Sequence, residues 1–242
     1  MVNRAKNNPL IYCAVDTTDM ARARELAGIL ARGGCGLKLG LEFFSACGPQ
    51  GVRTLRDEFP DVPLFLDLKL HDIPNTVAQA IRALVPLGVS YVNVHAAGGA
   101  EMMKAAAAAV REESVKLGVT PPRLLAVTVL TSLDESSLAA VGQKGPAVDQ
   151  VERLARLSQG SGMDGVVCSA HEIERLRSAC GPDFILVVPG IRPAGSDTQD
   201  QKRTMTPARA LAAGATHLVI GRPITQAADP AAAIRSILSE AA

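Results

Sequence analysis

Short apolar runs recur along the whole chain, and longer segments with a different spacing separate them. Each run is nearly continuously apolar and rich in β-branched residues, which is typical of a strand buried on both faces of a parallel sheet. The pattern therefore predicts eight strands. They are Ile11–Asp16, Gly36–Gly40, Leu64–Lys69, Tyr91–Ala96, Leu124–Leu130, Gly165–Ser169, Phe184–Gly190 and His217–Pro223.

Helices are predicted between these strands. Met20–Leu30, Asn75–Leu87 and Gly99–Leu117 carry apolar residues at helical spacing. The alanine run Ala105–Ala109 is expected to be helical too, because alanine is the best helix former. Strands that alternate with helices indicate βαβ units and a parallel sheet. Eight such units in 242 residues predict a single (β/α)8 TIM barrel over residues 1–242, with a doubly wound open sheet as the alternative.

The composition argues against several classes of protein. The chain has 25 Lys and Arg against 24 Asp and Glu, a net charge of +1, and 48% hydrophobic residues. This balance is not that of a disordered chain, nor of a nucleic-acid binder, which would show a basic excess. Aromatic residues make up only 3%, so stacking surfaces for single strands are not expected either. We expect a core of Ala, Leu, Val and Ile.

The cysteines and the amino-terminal segment indicate the cellular compartment of the protein. The cysteine count of five is odd and contains no C-x-x-C pair, which argues against a disulfide framework. The start of the chain, MVNRAKNNPL, lacks the apolar segment of a secretory signal. No apolar run approaches the roughly 20 residues that a membrane span needs. We therefore expect a soluble, cytoplasmic protein.

Charged residues lie at or near the ends of several predicted strands, where the catalytic groups of such barrels are found. Asp67 and Lys69 are two residues apart and share one face of their strand, and Lys38 of the preceding strand is expected beside them. Asp16 ends the first strand. Asp72 follows the third and could return to this site or reach that of a neighbouring subunit. Neighbouring carboxylates keep a lysine protonated, so the array predicts a lysine that acts as a proton donor. The alternative is a network of salt bridges that only connects the strands.

A second group of residues indicates a phosphate site. Gly190 and Arg192 follow the seventh predicted strand, and Gly221 and Arg222 end the eighth. The loops after these two strands commonly bind phosphate in this fold, through glycine backbone N–H groups and arginine side chains. The polar segment 191–204 is long for a loop in a compact domain and is predicted to be a phosphate-binding lid.

The histidines do not predict a metal site. His71, His95, His171 and His217 are far apart in the sequence, and no Cys/His cluster has metal-ligand spacing. His95 is expected to be a hydrogen-bonded histidine at a strand end. His71 lies in the charged stretch and could support it.

Four segments of the chain match the motifs of a known family. Asp67–Thr76 (DLKLHDIPNT) resembles the D-x-K-x-x-D-I-x-x-T signature of the orotidine 5'-phosphate decarboxylases of bacterial type. Val127–Ser132 is similar to the V-T-x-L-T-S of that family, Pro189–Pro193 to its P-G-I-R-P and Val219–Ile224 to its V-I-G-R-P-I. The resemblance implies a homodimeric (β/α)8 barrel that converts orotidine 5'-monophosphate to UMP in de novo pyrimidine biosynthesis, without metal or organic cofactor.

The resemblance also implies roles for the charged array. Lys69 would protonate C6 of the pyrimidine as carbon dioxide leaves, and Asp67 would lie beside the departing carboxylate. Lys38 would bridge the acidic groups and the ribose. Asp16 would accept hydrogen bonds from the ribose hydroxyls.

The remaining implied roles concern the base, the phosphate and the second subunit. Thr131 would contact the base. Asp72 and Thr76 would enter the active site of the partner chain, so that each site needs two subunits. The residues implied to hold the phosphate are Arg192, Gln201, Gly221 and Arg222.

Two other functions fit parts of this pattern. The related magnesium-dependent sugar-phosphate decarboxylases and epimerases share the D-x-K-x-x-D strand, but they carry an acidic metal ligand where Lys38 stands. A lysine cannot serve as that ligand. A catalytically silent barrel that binds a phosphorylated metabolite is the other alternative, and the intact charged array argues against it.

Overall fold

Eight parallel strands form a closed barrel in the computed structural model, which describes residues 9–143, 145–193 and 205–241. Each strand pairs with the next in sequence, and the eighth pairs with the first. The closed barrel confirms the (β/α)8 prediction, and the open-sheet alternative is wrong. The strands are β1 Ile11–Ala14, β2 Gly36–Leu39, β3 Leu64–Leu70, β4 Tyr91–His95, β5 Arg123–Val127, β6 Gly165–Val167, β7 Ile185–Val188 and β8 His217–Ile220.

Helices connect the strands and cover the outside of the barrel. Several begin at a side-chain cap: Asp19 accepts a hydrogen bond from Ala21 N, and Asp229 accepts one from Ala232 N. The helices of the described residues are α1 Met20–Gly33, α2 Leu41–Glu58, α3 Pro74–Leu84, α4 Gly99–Leu117, α5 Glu135–Ala140, α6 Ala147–Gly160, α7 Ile173–Cys180, α8 Pro207–Ala212, α9 Arg222–Thr225 and α10 Pro230–Glu240. Short 3₁₀ helices span Val85–Leu87, Ala96–Gly98 and Ala170–Glu172.

Most of the hydrophobic core lies between the strands and the helices. Leu30, Ile81 and Val151 on the helices and Leu39 and Leu66 on the strands are fully buried in this layer. The alanine run of α4 packs here as well, which is consistent with its predicted helical state. Most of this outer layer is aliphatic, as expected, but Phe43, Phe184, Met102 and Met103 are buried in it as well.

The interior of the barrel is different, because aromatic rings fill its amino-terminal end. Tyr12, Phe65 and Tyr91 meet in edge-to-face contacts, and the His217 ring packs against both tyrosines. The ring of Tyr12 occupies the space beside Gly36, where a Cβ atom would collide with it. The expectation of a purely aliphatic core is wrong here, since both tyrosines and Phe65 fill the barrel interior, which requires large side chains.

Except for β3, which ends at Leu70, one residue beyond its predicted run, the observed strands are shorter than the predicted runs at their carboxyl ends. Asp16 lies two residues beyond β1, and Val129 and Leu130 lie beyond β5. Both of these apolar loop residues, Val129 and Leu130, line a cavity. The predicted lid at 191–204 lies largely outside the described residues, which end at Pro193 and resume at Met205.

Two expectations about the chain as a whole can be compared with the structure. All five cysteines carry free thiols, as expected. Among the helices that the structure describes, none is long and apolar enough to cross a membrane.

Candidate active site

A cavity of about 490 Å³ opens at the carboxyl ends of the barrel strands. Its wall includes Asp16, Lys38, Asp67 and Lys69 on one side and residues that follow β5 to β8 on the other. Because catalytic groups of (β/α)8 barrels lie at this end, the cavity is the candidate active site.

Three charged side chains form the centre of the array. The Nζ atom of Lys38 lies 3.0 Å from Asp67 Oδ2, and Nζ of Lys69 lies 2.7 Å from Asp67 Oδ1. Lys38 and Asp67 are only 7% and 8% exposed. Burial alone would raise the pKa of Asp67, but the charges of Lys38 and Lys69, with hydrogen bonds from Lys69 and Asn93, lower this pKa to about 2. Asp67 is therefore an anion that holds two cations in place.

The array continues to the rim of the cavity through Asp16. Its Oδ1 atom lies 3.9 Å from Lys38 Nζ, and its side chain is more than half exposed. The order Asp16, Lys38, Asp67, Lys69 alternates in sign, whereas Asp72, the fourth member of the predicted array, does not line the cavity. Asp16 also keeps free carboxylate surface toward the cavity, where it can accept hydrogen bonds from a ligand.

The backbone of Lys69 is unusual and could not be foreseen from the sequence. Its φ angle is +50°, and Lys69 is the one non-glycine residue with positive φ among the described residues. The pairing of β3 with β4 shifts register between Leu66 and Leu70 at this point. Asn93 of β4 accepts a hydrogen bond from Lys69 N and donates one to Asp67 Oδ1, both at 2.7 Å.

Asp72 and Thr76 lie apart from this cavity in the chain. Both residues are exposed, and neither lines the cavity wall. The Oδ1 atom of Asp72 accepts a hydrogen bond from Ile73 N at 2.6 Å, at the start of α3. The structure therefore does not bring Asp72 back to the site of its own chain, and its role in a neighbouring subunit stays a prediction.

Arginines line the part of the cavity that follows β7 and β8. Arg192 is only 8% exposed; its Nη1 donates to the Ile191 carbonyl, and its buried Nε has no partner among the described residues. Burial and the nearby Arg222 lower the pKa of Arg192. Two neighbouring cations, one of them buried, are stabilised by an anion between them.

Glycines bring the backbone close to the same place. Gly190 has φ of +75°, a conformation that favours glycine, and it turns the chain into the loop after β7. Gly221 is the N-cap of the short helix α9 and packs against Ala14 of β1. Both glycines line the cavity. Gln201, which the family resemblance assigned to the same site, lies outside the described residues.

The wall between the two charged groups is mostly apolar. Val127, Leu130, Val167 and Val219 contribute to it, together with half-buried Thr131 in the loop after β5. The valines were missed as site residues in the sequence, although the alternation along each strand identifies them as inward-facing once the barrel is accepted. Thr225 and Gln226 at the end of α9 also line the cavity and carry no recognisable sequence signal.

The histidine prediction is confirmed in part. His95 ends β4, and its Nδ1 accepts a hydrogen bond from Ala97 N, as expected of a strand-end histidine. The sequence missed that His71 stacks on His95, with ring centroids 5.3 Å apart. Burial, His71 and Lys69 lower the pKa of His95. Within the described ranges, no three His, Cys, Asp or Glu residues are grouped so that they could hold a metal ion.

Comparisons with known proteins point to one family. The family model for the orotidine 5'-phosphate decarboxylase / HUMPS family matches residues 9–237. The chain is 55% identical over 233 residues to orotidine 5'-phosphate decarboxylase of Paramagnetospirillum magneticum, covering 96% of this chain and 98% of that protein. It is 54% identical to the enzyme of that name from Moorella thermoacetica, covering 95% and 91% of the two chains. The crystal structure of orotidine 5'-phosphate decarboxylase from Lactobacillus acidophilus superimposes with a TM-score of 0.84 at 37% identity, over 97% and 99% of the two chains.

Proposed function

The chain belongs to the orotidine 5'-phosphate decarboxylase / HUMPS family, and we propose that it converts orotidine 5'-monophosphate to UMP and carbon dioxide. The observation that carries the proposal is the ion-paired array of Lys38, Asp67 and Lys69 in the wall of the cavity. A reaction that leaves negative charge on one carbon atom is accelerated by a fixed cation beside that atom. Arg192 and Arg222 supply cations for a phosphate in the same cavity.

The proposed proton donor is Lys69. The bond between C6 and the carboxyl carbon breaks, carbon dioxide departs, and the electron pair left on C6 takes a proton from the Lys69 ammonium. This electron pair lies outside the π system of the ring, so the ring cannot delocalise it. An ammonium already held at 2.7 Å from Asp67 needs little reorganisation when the charge develops.

The neighbouring charges orient the substrate. Asp67 lies beside the departing carboxylate, so repulsion in the ground state adds to the effect of the cation. Lys38 bridges Asp67 and the ribose, and Asp16 accepts hydrogen bonds from the ribose hydroxyls. Thr131 contacts the base.

The phosphate binds at a distance from the reacting carbon. Its proposed ligands are Arg192, Gln201, Gly221 and Arg222. Binding energy from this remote group can close the segment 191–204 and complete the site, which raises the rate of the chemical step rather than only the affinity. The described flanks of that segment already meet, since Arg192 N donates to the Met205 carbonyl at 3.0 Å.

The complete site is proposed to need two copies of the chain. Asp72 and Thr76 are exposed, beside exposed Ile73 at the start of α3. A homodimer would cover Ile73 and bring these two polar side chains into the site of the partner. The alternating array would then gain a further carboxylate next to Lys69.

The reaction is proposed to need no metal ion or organic cofactor. Lys38 occupies the position of the acidic ligand that the magnesium-dependent relatives use, and it forms an ion pair with Asp67 at 3.0 Å. A cation there repels a divalent metal. No observation on the described residues favours the magnesium-dependent reaction.

One assay tests the proposal directly. The purified protein is mixed with orotidine 5'-monophosphate in the presence of EDTA, and the pyrimidine absorbance is followed while UMP and carbon dioxide are quantified. We expect stoichiometric UMP and carbon dioxide with full activity in EDTA. Tight nucleotide binding without carbon dioxide release would instead identify a silent binding barrel, and loss of activity in EDTA would revive the metal-dependent alternative.

A further inference from the structure

Asn93 is a buried polar residue that forms hydrogen bonds with both Lys69 and Asp67. It lies in the middle of β4, is completely buried, and shares the inward-facing side of the strand with Tyr91 and His95. Its Oδ1 atom accepts a hydrogen bond from the backbone N–H of Lys69, and its Nδ2 group donates one to Asp67 Oδ1, each at 2.7 Å.

The first of these hydrogen bonds replaces a missing part of the β ladder. The pairing of β3 with β4 is interrupted between Leu66 and Leu70, so the N–H of Lys69 lacks a regular backbone acceptor on β4. The side chain of Asn93 supplies that acceptor. A left-handed conformation is unfavourable for a residue with a Cβ atom, and Lys69 retains its φ of +50° only because its surroundings hold it there.

The second hydrogen bond acts on the carboxylate that holds both lysines. Asp67 Oδ1 accepts from Asn93 Nδ2 and from Lys69 Nζ at the same distance, while Oδ2 faces Lys38. One amide therefore fixes the backbone of Lys69 and the carboxylate that orients the end of its side chain. The amide can do both only in one orientation, with oxygen toward the N–H and nitrogen toward the carboxylate.

From this geometry we infer that Asn93 is a positioning residue of the reaction, which sets the location of the Lys69 ammonium relative to the reacting carbon. The inference rests on the proposed function, because it assigns Asn93 a role in the decarboxylation. Asn93 does not line the cavity, so it acts through Asp67 and Lys69 and not by touching the substrate. The phosphate ligands that follow β7 and β8 are on the far side of the barrel and do not depend on it.

The first test separates turnover from binding. We expect Asn93→Ala to lower kcat by about 100-fold, the size of effect that a displacement of about 1 Å at the reacting centre produces. The KM for orotidine 5'-monophosphate should change by less than about 3-fold, because remote phosphate contacts dominate binding. Ser158→Ala is the matched control. It removes a buried hydrogen bond, from Ser158 Oγ to the Leu154 carbonyl in α6, away from the cavity, and should leave kcat unchanged.

A second variant gives a readout that loss of packing cannot imitate. Asn93→Asp retains an acceptor for Lys69 N but places a second carboxylate against Asp67, where a shared proton is needed to restore the hydrogen bond. Lys38 and Lys69 are the other charged groups that contact this pair directly, and His95 is the titratable group two residues further along β4. The ratio of the Asn93→Asp kcat to that of the wild type should therefore rise as the pH falls, while the ratio for Asn93→Ala stays flat.

The outcomes distinguish this inference from the proposed function. If the wild type releases no carbon dioxide from orotidine 5'-monophosphate, the proposed function is wrong. If the wild type is active and folded Asn93→Ala retains kcat within about 2-fold, the positioning role is wrong and the proposed function stands. If Asn93→Ala does not fold, the pH profile of Asn93→Asp decides, and a profile parallel to that of the wild type overturns the inference.

Discussion

The two ends of this barrel use inward-facing polar residues in opposite ways. At the carboxyl end, Lys38, Asp67 and Lys69 place full charges in the wall of an open cavity. At the amino end, Tyr91 and His217 form a buried hydrogen bond of 2.9 Å among aromatic rings. Strand β3 contributes to both ends, with Phe65 among the aromatic rings and Asp67 in the cavity wall, because alternate residues of a strand face the interior at successive heights.

The two ends differ in whether their polar side chains find hydrogen-bond partners within the protein. His217 is satisfied within the protein, since Nδ1 contacts the Pro9 carbonyl at 2.7 Å and Nε2 contacts the Tyr91 hydroxyl. The buried Nε of Arg192 has no partner among the described residues, and the Lys69 side chain is still one-third exposed. The buried Tyr12 hydroxyl at the amino end also lacks a partner among the described residues, but it lies among packed rings, whereas Lys69 and Arg192 line the cavity, where a ligand can reach them. Substitutions at the two ends should separate activity from stability.

The largest effect is expected for Lys69→Ala. Removing the proton donor should lower kcat by about 10⁴-fold or more, the upper part of the range for general acid catalysis. The melting temperature should change little, because the side chain is partly exposed and leaves no cavity in the core. Steady-state kinetics and thermal unfolding of the same preparation check both parts, and near-normal UMP production by this variant would rule out Lys69 as the donor.

Arg192→Ala should act on binding at the same end of the barrel. Loss of charge-assisted hydrogen bonds to the phosphate should raise KM by about 10- to 100-fold. The exposed Arg175, which pairs with Asp149 and Glu152 on the outer surface, provides the control variant Arg175→Ala with unchanged kinetics. Inhibition by UMP should weaken in parallel; an unchanged affinity for UMP would remove Arg192 from the phosphate site.

The charged end should also determine how stability depends on acid. The pKa of Asp67 is about 2 in the folded protein, below its ordinary value of 3.8. A lowered pKa stabilises the fold above pH 4, and this contribution is lost as the pH falls through 2. The loss should be about 2 kcal/mol. Urea unfolding between pH 5 and 2 measures it, and Asp67→Asn should have a flatter profile; an equally steep profile would assign the acid sensitivity to other carboxyl groups.

The smallest effect is expected at the amino end. Tyr91→Phe removes the hydroxyl that contacts His217 and should lower the free energy of unfolding by about 1 kcal/mol, or somewhat more because His217 Nε2 loses this partner. Both kinetic parameters, kcat and KM, should stay at wild-type values. If turnover instead falls by about 10-fold or more, the two ends are coupled, and stability and activity are not divided between them.

Much of the architecture could be predicted because it depends on local periodicity. Eight apolar runs separated by helix-spaced segments are enough to indicate a (β/α)8 barrel. The charged residues at strand ends stood out because a charge in a buried strand is costly unless it has a partner. The pairing of Asp67 with Lys38 and Lys69 followed from neighbouring strands and the two-residue repeat, and the structure confirms it.

The contacts of Asn93 and the stacking of His71 on His95 could not be predicted from the sequence. Asn93 is one polar residue in an apolar strand, and its sequence context does not reveal that β3 breaks register beside it. His71 and His95 are separated by 24 positions in the sequence and stack only because β3 and β4 are neighbours. The sequence also left open whether Asp72 lies in the site of its own chain. In the structure Asp72 is exposed just before α3 and does not line the cavity.

Spacing along single strands was enough to predict the class of fold, the end of the barrel where the candidate site lies and the residue types available there. Which inward-facing groups meet depends instead on how the strands close into the barrel. Barrel closure places β8 beside β1 and brings the arginines into the same cavity as the lysine–aspartate array. The tertiary structure also decided the left-handed backbone of Lys69, since such a conformation is held by contacts from another strand and leaves no pattern in the local sequence.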